Sequence, residues 1–150
     1  MNEIQIINDF IINHFKSNNL VNTLSILPTT ELDQNKENIY PLTNIDFLYK
    51  VTDPDVILAS FKITVIQQRD TIPTKTDSKL LIDVNYLDNV NETANICTRF
   101  FNVLTGQNND FNIELVSKTN EKVLKKWGIN TCDGFQFEVT LSIPNMGKSC

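Results

Sequence analysis

Apolar and polar residues alternate with a period of two along most of the stretch from Thr43 to Ile66. Ile45, Phe47, Tyr49 and Val51 alternate with Asp46, Leu48 and Lys50. Ile57, Ala59, Phe61, Ile63 and Val65 alternate with Leu58, Ser60, Lys62 and Thr64. A period of two places each set on one face of a pleated sheet. Between the runs stands Thr52-Asp53-Pro54-Asp55, where proline presets φ and the aspartates bond local backbone. The pattern predicts a long antiparallel hairpin at the centre of the chain.

The flanking segments read in the same way. Ile4, Ile7, Ile11 and Phe15 recur at helical spacing, widened by Ile6 and Phe10, and predict a helix over Glu3 to Lys16. Its apolar face either packs on the domain's own sheet or docks on a neighbouring subunit. Val21 to Leu27 reads as a short strand. Pro28 to Asn38 is polar with almost no apolar anchors, which predicts an exposed loop. Gln67 to Lys79 predicts a second long loop, and Leu80 to Leu87 is either a short helix or extended. Val90, Ala94, Cys97, Phe101 and Leu104 step by four, three, four and three, as one helix face does. Asp88 or Asn89 supplies its cap, with Glu92 in the capping-box position, and Gly106 stops it. Phe111, Ile113 and Leu115 alternate as a strand, while Lys118 to Trp127 gives no clear period. After Asp133-Gly134 comes the cleanest alternation, with Phe135, Phe137, Val139, Leu141 and Ile143 facing one way. Asn145 to Cys150 is small and polar, a flexible tail.

Four alternating strands imply a sheet with one buried and one wet face, mainly antiparallel. With two amphipathic helices as cover, the expected fold is α+β, a two-layer sandwich in one domain spanning residues 1–150. The hydrophobic share of 41% and charged share of 21% belong to a globular protein rather than a disordered one. No apolar run reaches the ~20 residues of a membrane span, and the N-terminus lacks the signature of a signal peptide. Synthesis in a cytoplasm, with no membrane partner, is expected. The net charge is −5, against a nucleic-acid wrapper. It is uneven: residues 1–115 carry 8 Lys/Arg and 15 Asp/Glu, and residues 116–150 carry 5 and 3.

Motifs for chemistry are sparse. Three cysteines, Cys97, Cys132 and Cys150, and one histidine make a zinc site improbable. Cys97 is expected to be a buried structural thiol and His14 a surface or boundary residue. There is no phosphate-cradling glycine loop and no nucleophile elbow. No catalytic residue, cofactor or metal is therefore expected. Lys118, Lys122, Lys125 and Lys126 form the basic cluster, interrupted by Glu121. It is either a solvated face or a contact for phosphates or an acidic partner.

The order of elements resembles tail-terminator and tail-completion proteins of tailed bacteriophages and related neck or ring proteins. The residues that carry the resemblance are Ile39 to Phe47 opening the hairpin, the helix Val90 to Leu104, and Asp133 to Val139. The Asn- and Ile-rich composition is also similar to that of crAss-like phages. The resemblance implies a structural, non-catalytic subunit of a homo-oligomeric ring, hexamer or dodecamer, in the virion neck or tail. Its neighbours would be portal, adaptor or tail proteins, and DNA would pass through without sequence-specific binding. It gives the two long loops a role between subunits, with Glu31, Asp33, Lys36, Glu37, Arg69, Lys75 and Asp77 as contact candidates. The alternative is a small non-catalytic ligand- or protein-binding α+β module.

Overall fold

The computed structural model describes residues 3–34, 40–69, 73–75, 81–83, 86–105, 112–127 and 132–145. Helix α1 (Glu3–Ser17) buries Ile7, Ile11 and Phe15, one residue per turn on one face. It ends where Asn18 folds back, its amide donating to the Phe15 carbonyl and its side chain accepting from Leu20 N. Strand β1 (Thr23–Ser25) follows, shorter than its alternation predicted.

The central hairpin is present as β2 (Leu42–Thr52) and β3 (Val56–Gln68). Asp53 N donates to the Val56 carbonyl to close the turn, and Asn145 ties it down by bonding the Asp53 and Asp55 carbonyls. Strands β4 (Pro73–Lys75) and β5 (Leu81–Asp83) form a separate antiparallel pair. Helix α2 (Tyr86–Thr105), β6 (Glu114–Trp127) and β7 (Cys132–Pro144) complete the described chain. The main sheet runs β1-β2-β3-β7-β6, parallel between β1 and β2 and antiparallel elsewhere. Two helices on a mostly antiparallel open sheet make the α+β fold that the pattern predicts.

Cross-strand register explains the core. Ile57, Ala59, Phe61 and Ile63 of β3 stand opposite Ile143, Leu141, Val139 and Phe137 of β7. All eight are buried with the helix residues Ile7, Ile11, Phe15, Ile96, Phe100 and Leu104. The rings of Phe15, Phe100, Phe101 and Phe137 are linked at centroid distances of 4.9 to 6.5 Å, in tilted geometries. Gly134 sits inside β7, and a Cβ there would lie 1.9 Å from the Val65 carbonyl oxygen. The closeness of β3 and β7 at that row requires glycine.

Four expectations are corrected. First, Ile45, Phe47, Tyr49 and Val51 do not share a face. The register of β2 shifts at Leu48, so Phe47 stands opposite Phe61 but Tyr49 stands opposite Ser60. This is a β-bulge, which turns every later side chain to the other face. Second, α2 is rotated from its expected face. It buries Asn89, Thr93, Ile96, Cys97, Phe100 and Leu104, leaving Val90, Ala94 and Phe101 on the flank. Asn89 and Thr93 enter because each finds a partner, Asn89 at the Gln68 carbonyl and Thr93 at the Asn89 carbonyl. Asn89 is therefore no cap, the helix starting three residues before it.

Third, the Pro28–Asn38 segment is not wholly exposed. Thr29–Gln34 forms a 3-10 turn, and Leu32 is buried with Leu42, Ile66, Leu124 and Cys132. That second cluster lies on the sheet face away from the helices, flanked by Tyr40 and Trp127. Asp46 starts the turn by accepting from Thr29 N and Oγ1, as a helix-capping carboxylate does. Fourth, Gln67 and Gln68 still belong to β3, and Pro73–Lys75 is strand, so the second long loop is partly structured. Gly106, Phe111 and the tail from 146 onward lie outside the described residues.

Candidate functional site

Strand β6 carries the basic cluster and is one lateral edge of the sheet. Its register slips three times against β7, after Leu115, after Thr119 and after Leu124. Each slip re-aims the side chains that follow, so the lysines do not form one patch. Lys118 stands opposite Val139 on the helix side, with Nζ 4.6 Å from the Phe101 ring centroid and 2.8 Å from Glu121 Oε2. Lys122 stands opposite Gln136 on the other face. There it lines a shallow depression of about 370 Å³ with Lys62, Asn120, Glu121 and Glu138. Lys125 reaches α2, its Nζ 5.6 Å from the Tyr86 ring. Lys126 lies on the same strand. Asn120, at φ 54°, takes the left-handed conformation that asparagine tolerates, and its amide bonds Glu138.

The loop residues are placed as follows. Glu31 is exposed on the 3-10 turn, and Asp33 falls within that turn. Lys75 lies on β4, while Lys36, Glu37 and Asp77 lie outside the described residues. Arg69 points inward. Its Nε is 2.8 Å and its Nη2 2.5 Å from the two carboxylate oxygens of Asp133, and both residues are buried. The guanidinium carbon lies 4.7 Å over the Tyr86 ring, and Asn89 Nδ2 lies 3.4 Å from Asp133 Oδ2. Gln67 donates to Glu92 beside them. This hub joins the end of β3, the start of β7 and the first turns of α2. A buried bidentate pair of this kind fixes geometry more than it stabilises. Asp133 stands in the sequence only as a residue leading into the last strand; the signal for its role is an aspartate one residue before a close-approach glycine.

His14 lines a groove of about 570 Å³ along α1, with Ile6, Phe10, Asn13 and Val103. Its ring lies 5.0 Å from Phe15 and 5.3 Å from Phe100, and Nε2 is buried without a hydrogen-bond partner among the described residues. Desolvation lowers its pKa below 6.5, so the ring is neutral at pH 7. Cys97 is buried beneath α2, and burial pushes its thiol up to about 12, which removes it as a nucleophile. Among the described residues no cluster of three or more His, Cys, Asp or Glu side chains is placed to hold a metal ion.

The remaining feature is the pair of lateral edges. Strand β1 pairs only with Leu42, Thr43 and Asn44. From Ile45 to Thr52 no described strand covers the outer side of β2, and none covers the outer side of β6. The free half of β2 exposes Phe47, Tyr49 and Val51, and β6 exposes Val116 and Val123. An unpaired backbone ladder flanked by half-exposed apolar side chains is a template for strand addition. Comparison with protein-family models and with curated protein sequences finds no match for this chain.

Proposed function

We propose that this chain is a structural subunit of a tailed-phage virion, a tail-terminator, tail-completion or neck protein that closes into a ring around the path of DNA. The observation that supports the reading is that, among the described residues, no strand pairs with the outer side of β6 or with that of β2 beyond Asn44, on opposite sides of the subunit. Two different patches on opposite sides produce a heterologous contact, and heterologous contacts propagate into rings when the rotation closes. Portal, adaptor or tail proteins are the expected axial neighbours, and the net charge of −5 lets DNA pass without adhering, since phosphates are repelled.

The test is the mass of the purified chain by light scattering over a concentration series, with negative-stain images of the same samples. Closed rings of uniform diameter, hexameric or dodecameric, are expected as concentration rises. A chain that stays monomeric throughout overturns the reading. A second reading, a small binding module, draws on the α1 groove of about 570 Å³ beside His14, a volume within the range of ligand sites. Native mass spectrometry distinguishes it by a bound small molecule on a monomer.

A further inference from the structure

We infer that residues 26–34 form a strap that swings off the sheet as one unit, uncovering the cluster of Leu42, Ile66, Leu124 and Cys132 while the core beneath the helices stays folded. The motion is separate from ring closure and does not depend on it.

The strap begins where β1 stops. Strand β1 pairs by its backbone with Leu42, Thr43 and Asn44 and goes no further. At Leu27 the Asn44 side chain takes the place of the ladder, and Pro28 has no N–H with which to resume one. The strap therefore hangs on two side chains of β2. Asn44 accepts from Ser25 Oγ at 2.7 Å and from Leu27 N at 3.1 Å, and its amide donates to the Leu27 carbonyl at 3.0 Å. Asp46 accepts from Thr29 N at 3.0 Å and from Thr29 Oγ1 at 2.8 Å. Asn44 and Asp46 stand two residues apart in β2, so they rise from the same face of the sheet. That face is the one away from the helices, and the strap lies over it instead of in the plane of the ladder.

Its hold is slight. Between Ile26 and Leu32 one side chain is buried, that of Leu32. It packs with Leu42, Ile66, Leu124 and Cys132, flanked by Tyr40 and Trp127. The main core, by contrast, joins both helices to β2, β3 and β7. A segment with few buried apolar contacts opens at a lower free energy than the whole fold. The bond from Glu31 N to the Pro28 carbonyl, 2.8 Å, lies within the strap. It survives the opening, so the piece moves together.

Thiol labelling tests this, because each cluster holds one cysteine, Cys97 in the main core and Cys132 under the strap. In a Cys150→Ser background, each labelling rate is resolved by peptide mass spectrometry and divided by the rate of the same thiol in the urea-unfolded chain. Cys132 is expected to label at least about tenfold faster than Cys97, with a weaker dependence on low urea, since opening exposes less surface than unfolding. Asp46→Ala removes the acceptor of Thr29 and is expected to speed Cys132 about tenfold. Ile63→Val weakens the main core. It is expected to speed Cys97 by about two- to tenfold and to leave Cys132 unchanged, because that core is intact when the strap is open. Two thiols that label at one rate, or an Ile63→Val chain in which both speed up by the same factor, overturn the strap in favour of a single cooperative unit. A fast Cys132 that is indifferent to Asp46→Ala overturns it in favour of another route to that thiol.

Discussion

His14 is held neutral by its surroundings. The ring is wedged against Phe15 and Phe100, and among the described residues its buried Nε2 has no partner to share a second proton's charge. Burial disfavours the charged form, so the folded pKa lies below the unfolded value of 6.5. Above pH 6.5 both states are neutral and stability is undiminished. As pH falls through 6.5 the unfolded chain takes up a proton that the folded chain resists, and stability declines until the folded pKa is reached. Urea midpoints measured between about pH 7.5 and pH 5.5 are expected to fall, and to fall less in His14→Gln. Equal slopes in both proteins would show that His14 does not couple to folding. Helical spacing placed His14 next to a core phenylalanine. It did not reveal that Phe100, eighty-six positions on, would close over the same ring.

At the scale of elements, the Arg69–Asp133 hub sets how α2 leaves the sheet. Arg69 follows directly on β3, Asp133 lies at the start of β7, and Tyr86 and Asn89 belong to the first turns of α2. Removing the carboxylate takes the bidentate partner at Asp133 from a buried guanidinium, a loss of about 3–5 kcal/mol. Asp133→Ala is expected to be strongly destabilised in urea unfolding, and the double variant Arg69→Met/Asp133→Leu to regain most of the loss. A double variant as unstable as the single one would mean that Asn89 and Tyr86 depend on the charges themselves. The periodic elements were legible in the chain: α1, the hairpin, α2 and β7 all follow from the spacing of apolar residues. The hub was not, because it pairs residues sixty-four positions apart whose types are ordinary in loops. The bulge at Leu48 left one trace, an apolar residue in the polar phase between Phe47 and Tyr49, which does not by itself separate a bulge from an ordinary leucine on the wet face. β6 escaped for a related reason: three register shifts break its period, and its lysines hide a strand that only its pairing with β7 defines.

At the scale of the whole molecule, the described elements cover one face of the sheet and one end of the other, and leave its lateral edges without a pairing strand beyond Asn44 on β2 and along β6. The helices cover one face, and the 3-10 turn covers one end of the other through Leu32. No described strand pairs with the outer side of β2 beyond Asn44. A lysine placed there acts on assembly and spares the fold, because the position is already half in water. Val51, 46% exposed, is the site. Val103, 43% exposed on α2, is a control of the same residue type and similar exposure, away from both edges. Surface substitutions of this kind usually change stability by no more than about 0.5 kcal/mol, so both variants are expected to melt close to the wild type. Their assembly is expected to diverge. A charge on a free edge opposes strand addition, so Val51→Lys raises the concentration at which rings appear. Val103→Lys leaves it unchanged. If both variants assemble like the wild type, the sheet edge is not the contact. If Val103→Lys alone is impaired, the contact lies on the helix layer, and α1 and α2 rather than β2 and β6 face the neighbouring copy.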